Sequence, residues 1–178
     1  MNQSLACLYI AATAALAGCA ADNLAQTNFT RAEAAMQPTR GNSAHGVVRF
    51  VQGGGVVRVT GEIHGLVPNS VHGFHVHERG DCSGGDGMAT GGHFNPSGTP
   101  HGQSGRGPHH AGDLPSIRAD MSGTARLEFE APSVTLTGAQ SGIVGKGLIV
   151  HRDPDDYTTQ PTGNSGPRIA CGVVVRTM

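Results

Sequence analysis

The sequence has no tryptophan, two tyrosines and five phenylalanines among its 178 residues, so any core must be built mainly from Val, Ile, Leu and Ala. It contains a single lysine, Lys146, and no run of basic side chains. That excludes a nucleic-acid partner held through phosphate contacts and a polybasic membrane patch. The charge is nearly balanced, with 12 basic and 13 acidic residues giving a net −1. Long apolar runs are missing too. Leu5 to Ala17 is too short and too poor in flanking charge to span a bilayer, and reads as an export signal. The length suits one domain with a real core and is too short for two comfortable ones.

The end of that apolar segment sharpens the export reading. It closes in "LAGC", Leu16 to Cys19, which resembles the lipobox of bacterial lipoproteins. The resemblance implies removal of residues 1–18, lipid on Cys19, and an exported, periplasmic protein tethered to a membrane through that anchor. Met1 to Leu8 holds no Lys or Arg, so the positive n-region is reduced to the terminal amine; an ordinary secretory signal is the alternative. With Cys7 in the signal and Cys19 at the anchor, Cys82 and Cys171 remain of the four cysteines. In an exported protein they should pair as a disulfide, worth about 4 to 5 kcal/mol in the chain-entropy model. Residues 19–42, rich in Ala, Thr, Gln and Asn, read as a tether, with a short helix around Arg31 to Met36 as the alternative. The folded domain is then 43–178.

Glycine is abundant, at 28 residues, and period-2 patterning dominates the domain. His45 to Gln52 and Val56 to Ile63 flank a run of glycines and read as a hairpin. Ala125 to Ala131 alternates Leu127 and Phe129 with Arg126, Glu128 and Glu130, the mark of an antiparallel strand buried on one side. Val71 to His77, Ser133 to Thr137, Lys146 to His151 and Ala170 to Arg176 fit further strands, and none carries a helical period. The fold expected is all-β, a Greek-key β-sandwich or flattened barrel. Two stretches, Glu78 to about Leu114 and Arg152 to Gly166, are too long to be turns and read as functional loops.

Ten histidines are present, and several gather at those loops. His75 and His77 sit at i and i+2 of a strand, so both imidazoles point to one face and can reach one metal ion. His93 comes next in "GGHFNP", His101 in "TPHGQ", His110 with Asp113 in "HHAGDL", and His151 ends "GLIVH". Imidazole suits copper and zinc, and a carboxylate added to imidazoles suits zinc. His45, His64 and His109 read as ordinary solvated or hydrogen-bonded histidines.

The ordered set "GFHVHERGDC", "GGHFNP", "HAGDL", "VHRDPDDY" and "GNSGPRIACGVV" resembles the copper/zinc superoxide dismutases in their bacterial exported form, from Ala44 to Val175. The resemblance implies one copper and one zinc ion per chain. Copper would be held by His75, His77, His93 and His151, and zinc by His93, His101, His110 and Asp113. His93 would bridge the two ions as an imidazolate and act as a proton donor. Asp155 would link His75 to His101 from behind, His72 would be structural, and the Cys82–Cys171 pair would steady Arg168. Arg168 would hold the superoxide substrate near the copper. With no lysine-lined funnel, steering is expected to rest on Arg168. A non-catalytic copper/zinc binding or delivery module is the competing reading; a zinc hydrolase ranks last, because four protein ligands close the zinc site. A homodimer is left open.

Overall fold

A computed structural model describes residues 29–178. The signal 1–18, the anchor Cys19 and residues 20–28 of the expected tether lie outside the described residues. Ten strands run β1 (Thr30–Pro38), β2 (His45–Gly53), β3 (Val56–His64), β4 (Val71–His72), β5 (Phe74–His77), β6 (Ile117–Arg118), β7 (Ala125–Ala131), β8 (Gly147–His151), β9 (Arg168–Val173) and β10 (Val175–Thr177). The remaining element is a 3-10 turn at Met88–Thr90, and no α-helix occurs among the described residues.

Every strand pairing is antiparallel. The main sheet runs β5-β8-β9-β1-β2-β3-β7, with β10 also on β1 and a separate β4-β6 pair. Leaving β3, the chain crosses to the opposite edge for β5 and returns for β7, the crossed connectivity of a Greek key. The sheet curls over a core that includes Met36, Val48, Phe50, Val59, Ile63, Phe74, Leu127, Leu148 and Val150. This is the all-β sandwich expected. The β2–β3 hairpin turns on Gly54 and Gly55, both at positive φ (60° and 88°), the backbone that a tight two-residue hairpin needs and only glycine adopts freely.

The boundary expected at residue 43 is corrected. Residues 30–38 are neither tether nor helix but β1, which pairs with β2 over Thr30 to Met36 and then with β9 at Gln37 and Pro38. Ala32, Ala34 and Met36 are buried while Glu33, Ala35 and Gln37 are not fully enclosed, so the strand alternates as it should. Alanine makes that alternation faint to a hydrophobicity reading. Ser133 to Thr137 is not a ladder strand either. Its amides turn to the 141–143 segment and to Gln52, with Thr135 N–H donating to Ser141 O and Leu136 N–H to Gln52 Oε1, while Val134 and Leu136 stay in the core. The expected strand 71–77 breaks at Gly73, whose backbone bonds to Asp153 and His151 instead.

Because Met36 is fully buried, Met36→Ala is expected to cost about 2 to 5 kcal/mol in a denaturant titration. A tether residue would cost nothing.

Candidate metal centre

The four residues of β5 are all buried, although only one face of the strand can meet the core. Phe74 and Val76 turn inward; His75 and His77 point the other way, where the loops cover them. Main-chain bonds bring the loops there. Phe94 N–H donates to Val76 O (2.8 Å), Val76 N–H to Gly112 O (2.9 Å) and Gly112 N–H to Phe94 O (2.8 Å). His93 is thereby set beside His77, and Asp113 beside His75, in bridge pairs. β8 pairs with β5 on its other side and delivers His151 at its end. Residues far apart in sequence thus converge through backbone geometry.

Two groups of donor side chains result, each with its ligand atoms within 4.8 Å of one another: His75, His77, His93 and His151, and His93, His101, His110 and Asp113. All seven residues are buried and His93 belongs to both groups. The outward nitrogens are anchored. His75 Nε2–H donates to Asp155 Oδ2 (2.7 Å), His101 Nε2–H to Asp155 Oδ1 (2.9 Å), His77 Nδ1–H to Gly91 O (2.9 Å) and His151 Nδ1–H to Gly166 O (3.1 Å). In a neutral ring the nitrogen that remains carries a lone pair. His77 Nε2 and His151 Nε2 face each other at 3.4 Å.

Asp113 organises the second group. Its Oδ2 accepts from the backbone N–H of His110 (2.8 Å) and Gly102 (3.2 Å), while Oδ1 lies 2.8 Å from His93 Nδ1, 3.1 Å from His101 Nδ1 and 3.3 Å from His110 Nδ1. Buried polar atoms normally find partners, yet His75 Nδ1, His93 Nε2, His101 Nδ1 and His110 Nδ1 have none. For His101 and His110 the approach to Asp113 is close but badly angled for a hydrogen bond. Donor atoms about 2 Å from one tetrahedral cation lie roughly 3.3 Å apart, so these separations fit metal ions better than protein hydrogen bonds. The donor chemistry fits too, imidazoles alone in one group and imidazoles with a carboxylate in the other.

Electrostatics separates the rings. Burial pushes His93 down to about 4 and His151 to about 3; burial and then its histidine neighbours lower His77. These rings are neutral at pH 7 and ready to coordinate. Burial works against His101 as well, but the facing carboxylate of Asp113 and the bond to Asp155 raise it to about 9. Burial would raise both carboxyls, yet the facing histidines hold Asp113 and Asp155 well below the usual carboxylate range. Without a metal ion, His101 therefore keeps a proton between two carboxylates.

Geometry decides the remaining expectations. Of three aspartates in "RDPDDY", Asp153 pairs with Arg152 and Asp156 accepts from Thr158 and Thr159. Only Asp155 reaches inward, joining His75 and His101. His72 has Nδ1 on His151 O (2.8 Å) and Nε2 on Ser70 Oγ (2.6 Å) and stays outside both groups. His109 turns away, with Nδ1 on His110 O. Cys82 and Cys171 are bonded, with Cα atoms 5.8 Å apart. Arg168 is part-buried; it donates through Nη1 to Gly87 O and Thr90 Oγ1 and through Nη2 to Gly91 O. Three of five guanidinium N–H groups are thus used, and its charge is close enough to lower His77 and His151. Lys146 is engaged elsewhere, 4.2 Å above the Phe94 ring.

Sequence reasoning missed Thr90, which is fully buried under Arg168, and Gly163. A methyl group on Gly163 would overlap Asp155 Oδ1 and crowd His101 Nε2. Neither carries a spacing signal, because each acts through contacts made only in the folded loops.

An all-β sandwich whose loops bring two fused sets of imidazole and carboxylate donors against one strand defines a two-metal protein. Residues 44–174 match the model of copper/zinc superoxide dismutase, and the chain belongs to that family. It is 39% identical over 158 residues to a protein named superoxide dismutase [Cu-Zn] from Paramecium bursaria Chlorella virus 1, with 85% of this chain and 83% of the relative covered. A solved structure titled as the clock protein EA4 superimposes with a TM-score of 0.75 at 37% identity, covering 83% of this chain and 94% of that one. The copper and zinc of the family fit the two donor groups.

The shifted histidines predict the pH profile of the metal-free protein. His93 and His151 bind fewer protons folded than unfolded between about 3 to 4 and 6.5, so stability falls as pH drops through that window. His101 binds more protons folded between 6.5 and about 9, so stability also falls as pH rises there. The thermal midpoint of metal-free protein should peak near 6.5 and decline on both sides. A midpoint still climbing toward pH 9 in thermal scans would contradict the His101 assignment.

Proposed function

We propose that the first donor group, His75, His77, His93 and His151, holds copper, and that the second, His93, His101, His110 and Asp113, holds zinc. The enzyme is a superoxide dismutase, turning two superoxide anions and two protons into dioxygen and hydrogen peroxide. The observation that carries the site assignment is the membership of His93 in both groups, which gives one ring a nitrogen for each ion. The choice of copper for the first group rests on its all-imidazole donors; the carboxylate suits zinc to the second.

When bound, copper supplies a one-electron carrier between successive superoxides, and zinc, without redox chemistry, supplies positive charge. The protein's own groups do the rest. His93 is the ring positioned to move a proton, at Nε2, since Nδ1 is committed to the Asp113 side. Asp155 fixes the planes of His75 and His101 together, so neither ring can turn without disturbing the other.

Arg168 is the anion-binding residue. Carbonyls of Gly87 and Gly91 and the Thr90 hydroxyl hold its guanidinium, leaving two N–H donors for a small anion. The disulfide ties the start of that loop to β9, three residues beyond Arg168, so the arginine and its carbonyl cradle are fastened to each other. With Lys146 engaged on Phe94, attraction of superoxide rests on Arg168. On metal-loaded protein, Arg168→Ala should lower the superoxide consumption rate by about tenfold or more and flatten its dependence on salt. An unchanged rate and salt slope would remove Arg168 from this role.

Export and anchoring belong to the same proposal. The protein is exported to the periplasm, loses residues 1–18 and is held at a membrane by lipid on Cys19. The Cys82–Cys171 bond supports an oxidising compartment, and the "LAGC" ending supports processing before Cys19. Radiolabelled fatty acid should enter the full chain and be lost in Cys19→Ser. Equal labelling of both would overturn the anchor.

A further inference from the structure

Most of the metal donors are placed by the sheet or by one another. His75, His77 and His151 sit in paired strands, and His93 and Asp113 form bridge pairs with His77 and His75. His110 N–H donates to Asp113 Oδ2, and its carbonyl accepts from Asp113 N–H at 3.1 Å. His101 has neither kind of support. Its main chain is held by a side chain from the other long loop. Gln160 Oε1 accepts from His101 N–H at 2.8 Å, and Gln160 Nε2–H donates to His101 O at 3.0 Å. These are the two reciprocal bonds that a residue exchanges with its partner in a hydrogen-bonded antiparallel pair. One side-chain amide thus stands in for a neighbouring strand.

The glutamine is itself well supported. Asp156 Oδ1 accepts from the N–H groups of Thr158 and Thr159 at 2.9 and 2.8 Å, and Gly163 N–H donates to Thr159 O at 2.7 Å. The turn leading into Gln160 is therefore closed before the amide reaches across. What the clamp adds follows from how the ring is held. His101 Nε2–H donates to Asp155 Oδ1 at 2.9 Å, and one bond at the outer nitrogen would let the residue pivot about that contact. Such a pivot would carry Nδ1 away from Asp113 Oδ1, which lies 3.1 Å from it. Fixing the main chain as well removes the freedom to pivot.

We infer that Gln160 is a positioning residue for the zinc site, clamping the His101 main chain so that Nδ1 stands in place before an ion arrives. The inference rests on the assignment of zinc to the second donor group. Gln160 is not one of the donors and acts through His101 alone. Donors already in place lose less freedom on binding, so the contribution of Gln160 appears in zinc affinity. Copper affinity is spared, because the backbones of its four donors are fixed by strands and a bridge pair.

The test uses full-length protein loaded with copper and free of zinc, titrated with zinc(II) against a competing chelator of known affinity. Zinc affinity is expected to fall about tenfold or more in Gln160→Ala. Copper affinity, measured in the same way on zinc-free protein, should be unchanged. Thr159→Ala removes a hydroxyl bond to Asp156 from the same turn without touching His101, and should keep the zinc affinity. If Gln160→Ala does not fold, Gln160→Glu is read in its place; it keeps the length and the acceptor but loses the donor to His101 O, and weakened zinc binding is again expected. Zinc held as tightly without Gln160 overturns the inference, as does an equal fall in copper affinity or an equal loss of zinc in Thr159→Ala. Unsubstituted protein that takes up no zinc overturns the zinc assignment as well, so the two failures are told apart.

Discussion

A carboxylate oxygen enclosed with three imidazole nitrogens, Asp113 Oδ1 against His93, His101 and His110, is the constraint around which the loops of this protein are arranged. Charge and lone pairs gathered out of water are costly unless something positive lies among them. The metal-free protein supplies that positive charge with a proton on His101. The metallated protein supplies it with a cation, and the proton must leave. Folding of the loops, protonation of the histidines and metal affinity are therefore one linked equilibrium. The backbone ladder between Val76, Phe94 and Gly112 makes the gathering possible, because it fastens both loop segments to β5 without using a single side chain that the metals need.

Much of the site was legible in the sequence because ligand chemistry is carried by side-chain type. His75 and His77 at alternate positions of an apolar strand announce a face, and the ordered motifs around His93, His110, Asp113 and His151 announce its partners. Which aspartate of Asp153, Asp155 and Asp156 turns inward needed the family resemblance, and the structure gives the reason: the outer two are spent on Arg152 and on capping a turn. Thr90, Gly163 and the carbonyls of Gly87, Gly91 and Gly166 were not legible. Thr90 acts through a hydroxyl that only the folded loop sets under Arg168, and the others through backbone position, which no spacing in the sequence encodes.

The fold was readable where large apolar side chains alternate with charged ones, as in β3 and β7. It failed at β1, where the alternation is written in alanine, and at Ser133 to Thr137, where alternating burial occurs without strand partners. The second failure has a cause of its own. Burial pattern reports which face of a segment is enclosed, whereas a strand is defined by where its amides bond, and Gln52 Oε1 can satisfy the Leu136 amide as well as a neighbouring strand would.

Placing β1 inside the sheet also changes how the molecule would ride above a bilayer. The chain from Ala20 to Phe29 is all that separates Cys19 from the first strand, and at full extension it reaches only about 35 Å. The proposed acyl group on Cys19 would put the enzyme on a short leash. Under the proposed anchor it would be held close to the lipid and would intercept radicals arriving at that surface rather than patrol the compartment at large.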